Sequence, residues 1–598
     1  MKKIFLILAS LLPFVTFGGN VSSEQARKIA EMFYSTKTTR AIVSTTLELK
    51  WTGGSSVQTR TLQEPAFYVF DNTAGGFVII AGDDSVEPIL GYSDDGEFVV
   101  DGMPDNVKYW FDFLQDGIAY LRSTNFTPSA KIQSLWNAYR NGVAPIVTTR
   151  AGAGKELETA KWNQTEPFNI KATEWCGFGE SVYTGCVATA TAIIMRYHKY
   201  PTEGTGTIGG YQYTSSRYGD RTIKSYSLGH TYNWDNMPTN NGSGWTTDQK
   251  NAVAQLMLDC GVMSEMYYGT YSESGSSAVT SYAPNSLVEY MRYDKSHDAL
   301  DRVYYERDEW VGKIIENIDN NMPVLFSGRS AQNSGHAFIL DGYNSSNEIH
   351  INWGWGGNDN GYYTIPEFGD YGYSQTAFIN IKPDEGGSEP QPVIGHTGMS
   401  FTSGPTIEGE TVNMTVYTDR VFNIGSSTFY GKIYLAHADK NDNIKQIIRT
   451  YDCSSGLGAG WGYSSLTYSY SVAAKDIANN DKLKWYYTFD DNVYLPLKYD
   501  LENTAIKGEL PLPNTEDIFD IEDGTSAEYF PVENKLVITS HSGLQYQLMN
   551  SGSSEVNTGV ELLNGVLTID LEALSPGTYT LTLKVGSKSK KIQFTTGK

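Results

Sequence analysis

Several features that mark familiar protein classes are scarce in this sequence. Four cysteines in 598 residues, Cys176, Cys186, Cys260 and Cys453, are too few for the disulfide scaffold of an exported chain. Nor do they show the paired short spacings of a zinc site, so one or two special thiols are expected and no metal ion. Positive charge is also short: 45 Lys and Arg against 68 Asp and Glu leave a net charge of −23. Such a balance repels phosphate backbones and anionic membrane surfaces, so no nucleic-acid partner is expected. Beyond the first residues no apolar run reaches the roughly 20 residues that a bilayer demands, and no membrane span is expected. No cofactor is called for.

The amino-terminal residues carry a different signal. Lys2 and Lys3 precede an apolar run over residues 4–17, followed by Gly18 and Gly19. Residues 1–19 read as a secretory signal peptide, which predicts a secreted protein, extracellular or held at a bacterial cell surface. Single cores stop growing at about 250–300 residues, so several domains are expected.

The pattern along the chain divides it. Ser22 stands three before Gln25, and Ala26, Ile29, Ala30 and Phe33 recur at helical spacing, which predicts a capped amphipathic helix. Strand-like runs over 66–70 and 77–81 predict a hairpin, and Trp110, Phe111, Leu114 and Ile118 make one face of a helix over 107–121. Residues 20–150 thus form an α+β module. Residues 145–156, small and polar, predict an exposed linker open to proteolysis. Residues 151–384 mix helices and strands and are long enough for a two-lobed enzyme. After a second linker over 383–393, alternating runs predict a β-sandwich over 393–511 and a further β module over 512–598. The string from Asp439 to Asn443 offers oxygens of a kind calcium takes, but without an EF-hand's Gly and distal Glu it reads as a hairpin turn.

Two segments carry chemistry. In YTGCVATATAIIMRYH, Thr184 and Gly185 open a helix that places Cys186 at its amino terminus, where the macrodipole and free N–H groups favour the nucleophilic thiolate. A buried structural cysteine fits the same segment equally well. In NSGHAFILDGYN, His336 follows Ser334 and Gly335, whose small side chains leave an imidazole accessible. A neutral imidazole beside a thiol takes its proton, and the resulting ion pair activates the sulfur. The two residues are 150 apart, Cys first, the order of papain-like enzymes. The other seven histidines read as structural: His198 as a cation closing the nucleophile helix, His350 within a strand, and His230, His297, His396, His437 and His541 in polar or loop-like sequence.

The strings TGCVATATA, GHAFILDGY and NWGWGG, together with WNQTEPFN, resemble the streptopain family of papain-like cysteine peptidases over roughly residues 20–384. The resemblance implies an α+β fold with a two-lobed papain-like catalytic domain and an α+β prosegment, ahead of the all-β sandwich modules that the alternation predicts. It implies Cys186 and His336 as catalytic dyad and Gln164 as donor of a side-chain oxyanion amide beside the Cys186 N–H. Asn352 and Trp353 become candidates for orienting and shielding the imidazole, although core packing around a Gly-rich turn fits them as well. By the same resemblance Ser277 and Ala278, in the loop GSSAV, line a pocket for a hydrophobic residue two before the cut, with Gly335 and Trp355 as further substrate-binding candidates. The segment PEFGDYGYSQ departs from the family's longer Gly-rich loop. The first module, through EPILGYSDDGEF and the helix that starts near Asn106, resembles an inhibitory prosegment that displaces His336 or plugs the cleft until removed. LSPGTYTLTL resembles sorting or surface-attachment domains.

The expected function is therefore a secreted cysteine endopeptidase made as a zymogen and matured between about 145 and 156. Its partners are protein and peptide substrates and its own prosegment. Two rivals share some of these features: a transglutaminase-like Cys–His acyltransferase, and a non-catalytic surface adhesin whose β modules do the binding.

Overall fold

The structure is a computed structural model that describes residues 19–37, 46–53, 64–101, 103, 105–124, 126–143, 154–215, 217–273, 275–329, 335–365, 374–408, 410–501 and much of 503–596. Residues 1–18 of the signal peptide, most of the first linker, Ser334, His541 and the greater part of PEFGDYGYSQ lie outside the described residues. Contacts divide the chain into two units, Met1–Pro390 and Gln391–Lys598.

Local sequence explains the amino-terminal module. The Ser22 hydroxyl accepts from the Gln25 N–H at 3.3 Å while the Gln25 side chain accepts from the Ser22 N–H at 2.9 Å, a capping box that starts the helix Ser23–Lys37. That helix buries Ala26, Ile29, Ala30 and Phe33. Strands Phe67–Asn72 and Phe77–Ala81 pair as a hairpin, and the helix Asp105–Thr124 buries Val107, Trp110, Phe111, Leu114, Ile118 and Leu121. Asn106 falls in its first turn.

The module does not end in an edge. Strand Ile89–Ser93 pairs antiparallel with Gly361–Tyr363, Tyr92 opposite Tyr362 and Gly91 opposite Tyr363. A Cβ at position 91 would come within 2.7 Å of the Tyr363 ring, so only glycine lets the backbones approach there. Through this pairing one sheet runs from Leu47–Thr52 through Phe67–Asn72, Phe77–Ala81, Ile89–Ser93, Gly361–Tyr363, Ile349–Asn352, Gly335–Tyr343, Val324–Arg329 and Ser374–Ile379 to Asp298–Asp301. Trp110 and Trp136 of the module share a core with Phe338, Trp353 and Tyr363.

A second core belongs to a helical lobe of Ile170–Cys176, Cys186–His198, Thr247–Met263 and Tyr282–Met291. It packs on the sheet face that presents Leu325, Ala337, Ile339 and Phe378. The result is an α+β, two-lobed papain-like arrangement of helical lobe against antiparallel sheet.

Apart from one 3₁₀ turn at Ala474–Asp476, the regular structure of the second unit is β among its described residues. Long strands Ser400–Glu408, Thr411–Asn423 and Gly462–Ala473 make one sheet, and Lys432–Ala438, Ile444–Asp452 and Lys482–Thr488 belong to another. Val412, Leu435 and Trp485 share one core with Ile538, Leu567 and Leu581.

Three local expectations are corrected. Lys155 and Glu156, assigned to the linker, form a short strand beside Gly342 and Tyr343, because a free sheet edge there satisfies their backbone groups. His198 is no cation at a helix end: its Nε2 lies 3.1 Å from the Ile381 carbonyl, and burial pushes its pKa down to about 4. His437 is not loop-like but buried in a strand, held by Tyr470 at 3.0 Å and Asp481 at 2.7 Å. The Asp439 carboxylate accepts from the Asn441 and Asn443 N–H groups at 2.8 and 2.9 Å, closing a hairpin turn.

Candidate active site

The helix Cys186–His198 begins on the predicted nucleophile. Its cap is Gly185 at φ 89°, a conformation that side chains avoid, and a Cβ there would strike Met266 at 2.6 Å. The preceding turn is locked from below: the Thr184 N–H donates to the Gln164 carbonyl at 3.1 Å, the Thr184 and Thr189 hydroxyls meet at 2.9 Å, and the Thr189 hydroxyl donates to the Gly185 carbonyl at 3.1 Å. Cys186 thus stands at a rigid amino terminus whose first N–H groups have no intrahelical acceptor. Gln164, 6 % exposed, is brought to the same turn through its own backbone.

His336 lies near the start of Gly335–Tyr343, opposite Gly328. Cys186 and His336 line one cavity of about 240 Å³, and Gly335, Ser277 and Ala278 line it too. The loop carrying Ser277 is pinned there: the Ser276 hydroxyl donates to the Tyr183 carbonyl at 2.7 Å and accepts from the Gly269 N–H at 2.9 Å. Val279 of the same GSSAV loop lines it as well, and residues that the sequence did not single out complete the wall, chiefly Thr280, Thr376 and Phe378. No motif marks Thr376 and Phe378; they reach the site because their strand pairs with Val324–Arg329. A wider hollow of about 680 Å³ between Glu309 and Asn347 holds neither a thiol nor an imidazole, so its size carries no chemistry.

Asn352 and Trp353 lie deeper. The Asn352 amide donates to the Thr159 hydroxyl at 2.8 Å and the Ala160 carbonyl at 3.0 Å, and its carbonyl accepts from the Gly354 N–H at 3.1 Å. Its hydrogen bonds therefore tie the NWGWGG loop to the segment that opens the catalytic region and do not run to His336. Thr159 in turn donates to Asp341, whose other oxygen holds His350 at 2.5 Å and keeps that buried imidazole's pKa above its usual value. Trp353 is buried against Phe338 at 4.7 Å and Tyr363 at 5.3 Å, its indole N–H on the Asp359 carbonyl at 2.9 Å. Trp355, half-buried, packs on the same core and is not among the cavity residues.

The amino-terminal module supplies a neighbour that the sequence reading missed. Tyr109, on the helix Asp105–Thr124, lies 5.9 Å from the His336 ring, centroid to centroid. Its ring also covers Gly328, where a Cβ would collide with it. Trp110, the next residue, meets Trp353 at 6.2 Å. Further along, the Val99 N–H donates to Asp359 at 3.0 Å, and Arg307 reaches Glu87 at 3.2 Å. Burial pushes the Asp359 carboxyl up to about 6.

None of the four cysteines is joined in a disulfide, and three of them differ from Cys186 in setting. Burial pushes the Cys176 thiol up to about 12 and raises those of Cys260 and Cys453 as well, which suits structural thiols rather than nucleophiles. Among the described residues no group of His, Cys, Asp or Glu is arranged to hold a metal ion.

Comparison with known proteins follows this division of the chain. The pattern of the peptidase C10 family matches residues 162–363, and that of the Spi protease inhibitor matches residues 18–118. The thiol protease/hemagglutinin PrtT of Porphyromonas gingivalis is 29 % identical over 456 residues, covering 73 % of this chain but only 50 % of that protein. The chain thus spans about half the length of that relative. Streptopain of Streptococcus pyogenes is 32 % identical over 346 residues, covering 53 % of this chain and 80 % of streptopain. A fragment of Prevotella intermedia prointerpain A is similar at 28 % identity with a TM-score of 0.43, over 57 % of this chain and 100 % of that one.

Proposed function

The chain belongs to the streptopain family of cysteine peptidases, and from that premise we propose that Cys186 and His336 hydrolyse protein peptide bonds while residues 20–150 hold the enzyme inactive as a zymogen. The observation that carries the reading is the shared cavity of about 240 Å³, lined both by the thiol at a helix amino terminus and by the imidazole on a strand of the sheet. The Cys186 thiolate attacks the scissile carbonyl and the His336 imidazolium protonates the departing amine. Water, deprotonated by the same imidazole, then hydrolyses the thioester and regenerates the thiol. The tetrahedral O⁻ is received by the Cys186 N–H and the Gln164 side-chain amide. Val279 and Phe378 in the wall support a preference for a hydrophobic residue two before the cut.

Inhibition by the amino-terminal module is supported by its continuous sheet with the enzyme and by Tyr109 packed on His336. Cleavage within about 145–156 releases it, leaving the strand Lys155–Glu156 with the mature enzyme. We place the enzyme outside the cell on the strength of residues 1–19. No helix among the described residues is long and apolar enough to cross a membrane.

Full-length Cys186→Ala and His336→Ala should each fail to cleave casein and should stay uncut. Casein cleavage at the parent rate by either variant overturns the dyad. A primary amine supplied with casein separates hydrolysis from acyl transfer, since mass spectrometry would find the amine joined to new carboxyl termini only in the second case.

A further inference from the structure

Peptide hydrolysis makes no use of the second unit, yet that unit holds a cavity of about 280 Å³ whose lining includes the aromatic side chains of Tyr430 and Phe489 and the polar ones of Lys432, Asp452, Thr488 and Asp491. Sheet register builds the polar part. Lys432 stands opposite Asp452 on one neighbouring strand and opposite Thr488 on the other, so acceptor, donor and hydroxyl follow one another across three strands. The Lys432 ammonium lies 2.5 Å from Asp491, which also accepts from the Tyr434 hydroxyl at 2.7 Å.

Both aromatic residues of the lining are wet. Tyr430 is 59 % exposed, and one side of its ring rests on Gly456, where a Cβ would come within 3.0 Å of it. Phe489 is 40 % exposed and is braced edge-on by Phe429 at 5.5 Å and Tyr487 at 5.7 Å. Aromatic faces left in water are unfavourable unless something covers them, and exposed apolar patches rimmed by polar groups mark binding sites.

The chemistry of the polar residues selects the occupant. An apolar side chain would strip water from Asp452, Lys432 and Asp491 without replacing their hydrogen bonds. An anionic ligand would meet two carboxylates against one ammonium. A ring with C–H groups on its faces and hydroxyls around its edge satisfies both parts, stacking on Tyr430 or Phe489 while its hydroxyls donate to the carboxylates and accept from Lys432. We propose that this cavity binds one uncharged pyranose unit of a glycan.

The test uses full-length protein carrying Cys186→Ala, which prevents self-digestion, in native electrophoresis through gels containing soluble glucan, xylan, galactomannan or, as anionic comparison, hyaluronate. At least one neutral polymer should retard the protein, and Tyr430→Ala and Phe489→Ala should each weaken that retardation about 10-fold or more. Ile447→Ala, an exposed apolar residue on the strand Ile444–Asp452, should not. Thermal unfolding checks each variant, and the exposed position of Tyr430 keeps that variant readable even if Phe489→Ala fails to fold. The proposal is overturned if no neutral polymer retards the protein, if Tyr430→Ala migrates like its parent, or if hyaluronate retards it as strongly as the neutral polymers do.

Discussion

Tyr109→Ala tests the proposed restraint on the zymogen where the amino-terminal module meets His336. The side chain is 3 % exposed and packs on the Gly328 backbone and the His336 ring. A buried aromatic removes about 150–250 Å² from water, or about 4–6 kcal/mol at about 25 cal/mol per Å². Alanine keeps part of that area, and part of the rest lies within the module's own core, so about half is assigned to docking. A loss of about 2–3 kcal/mol raises the undocked fraction about 30- to 150-fold. Dilute full-length protein should therefore process itself faster by that factor, followed as loss of the precursor band at a series of concentrations to isolate the first-order component. Tyr109→Phe, which keeps the ring, and Lys108→Ala, exposed on the same helix, should process at close to the parent rate. A Tyr109→Ala precursor that folds normally and matures within about twofold of the parent refutes the argument, because about 0.4 kcal/mol would then be all that the contact contributes.

Gln164→Ala should lower kcat about 100-fold with a smaller change in KM, as for loss of one oxyanion donor; an unchanged kcat demotes the residue to a scaffold for Thr184. Limiting iodoacetamide at neutral pH should label Cys186 of the matured enzyme long before Cys176, whose thiol is pushed up to about 12, and peptide mapping that finds Cys176 labelled first contradicts the assignment. Asp359 rises from 3.8 to about 6, so the folded precursor binds a proton more tightly than the unfolded chain, and this group's stabilisation is present below pH 3.8 and lost as pH climbs through 6. Asp359→Asn should consequently stabilise the precursor at pH 7–8 by up to about 3 kcal/mol and have little effect at pH 4. Urea midpoints that shift equally at both pH values would show that the charge is not what destabilises.

The residues to which the proposed function gives the chemistry were legible because their signals are local. A cysteine opening a helix and a histidine entering a strand can be read within a dozen residues each, as can the capping box at Ser22 and the alternation of the β modules. His198 misled for the same reason: helix-end position is visible in sequence, whereas the Ile381 carbonyl and the burial that keep it neutral are not. Asn352 likewise showed its proximity to the site, but its hydrogen bonds depend on Thr159 and Ala160, nearly two hundred residues away in sequence.

By itself the sequence determined which residues could do the chemistry, where the main helices and strands begin, and how the chain's composition shifts along its length. Tertiary structure decided what surrounds them. Strand pairing across long separations brought Thr376 and Phe378 to the cavity that the thiol lines and joined Gly91 to Tyr363. In the second unit the same pairing put Asp452, Lys432 and Thr488 in one row. Each of these depends on register between distant strands, which is set by burial of the whole face and not by any short run of residues.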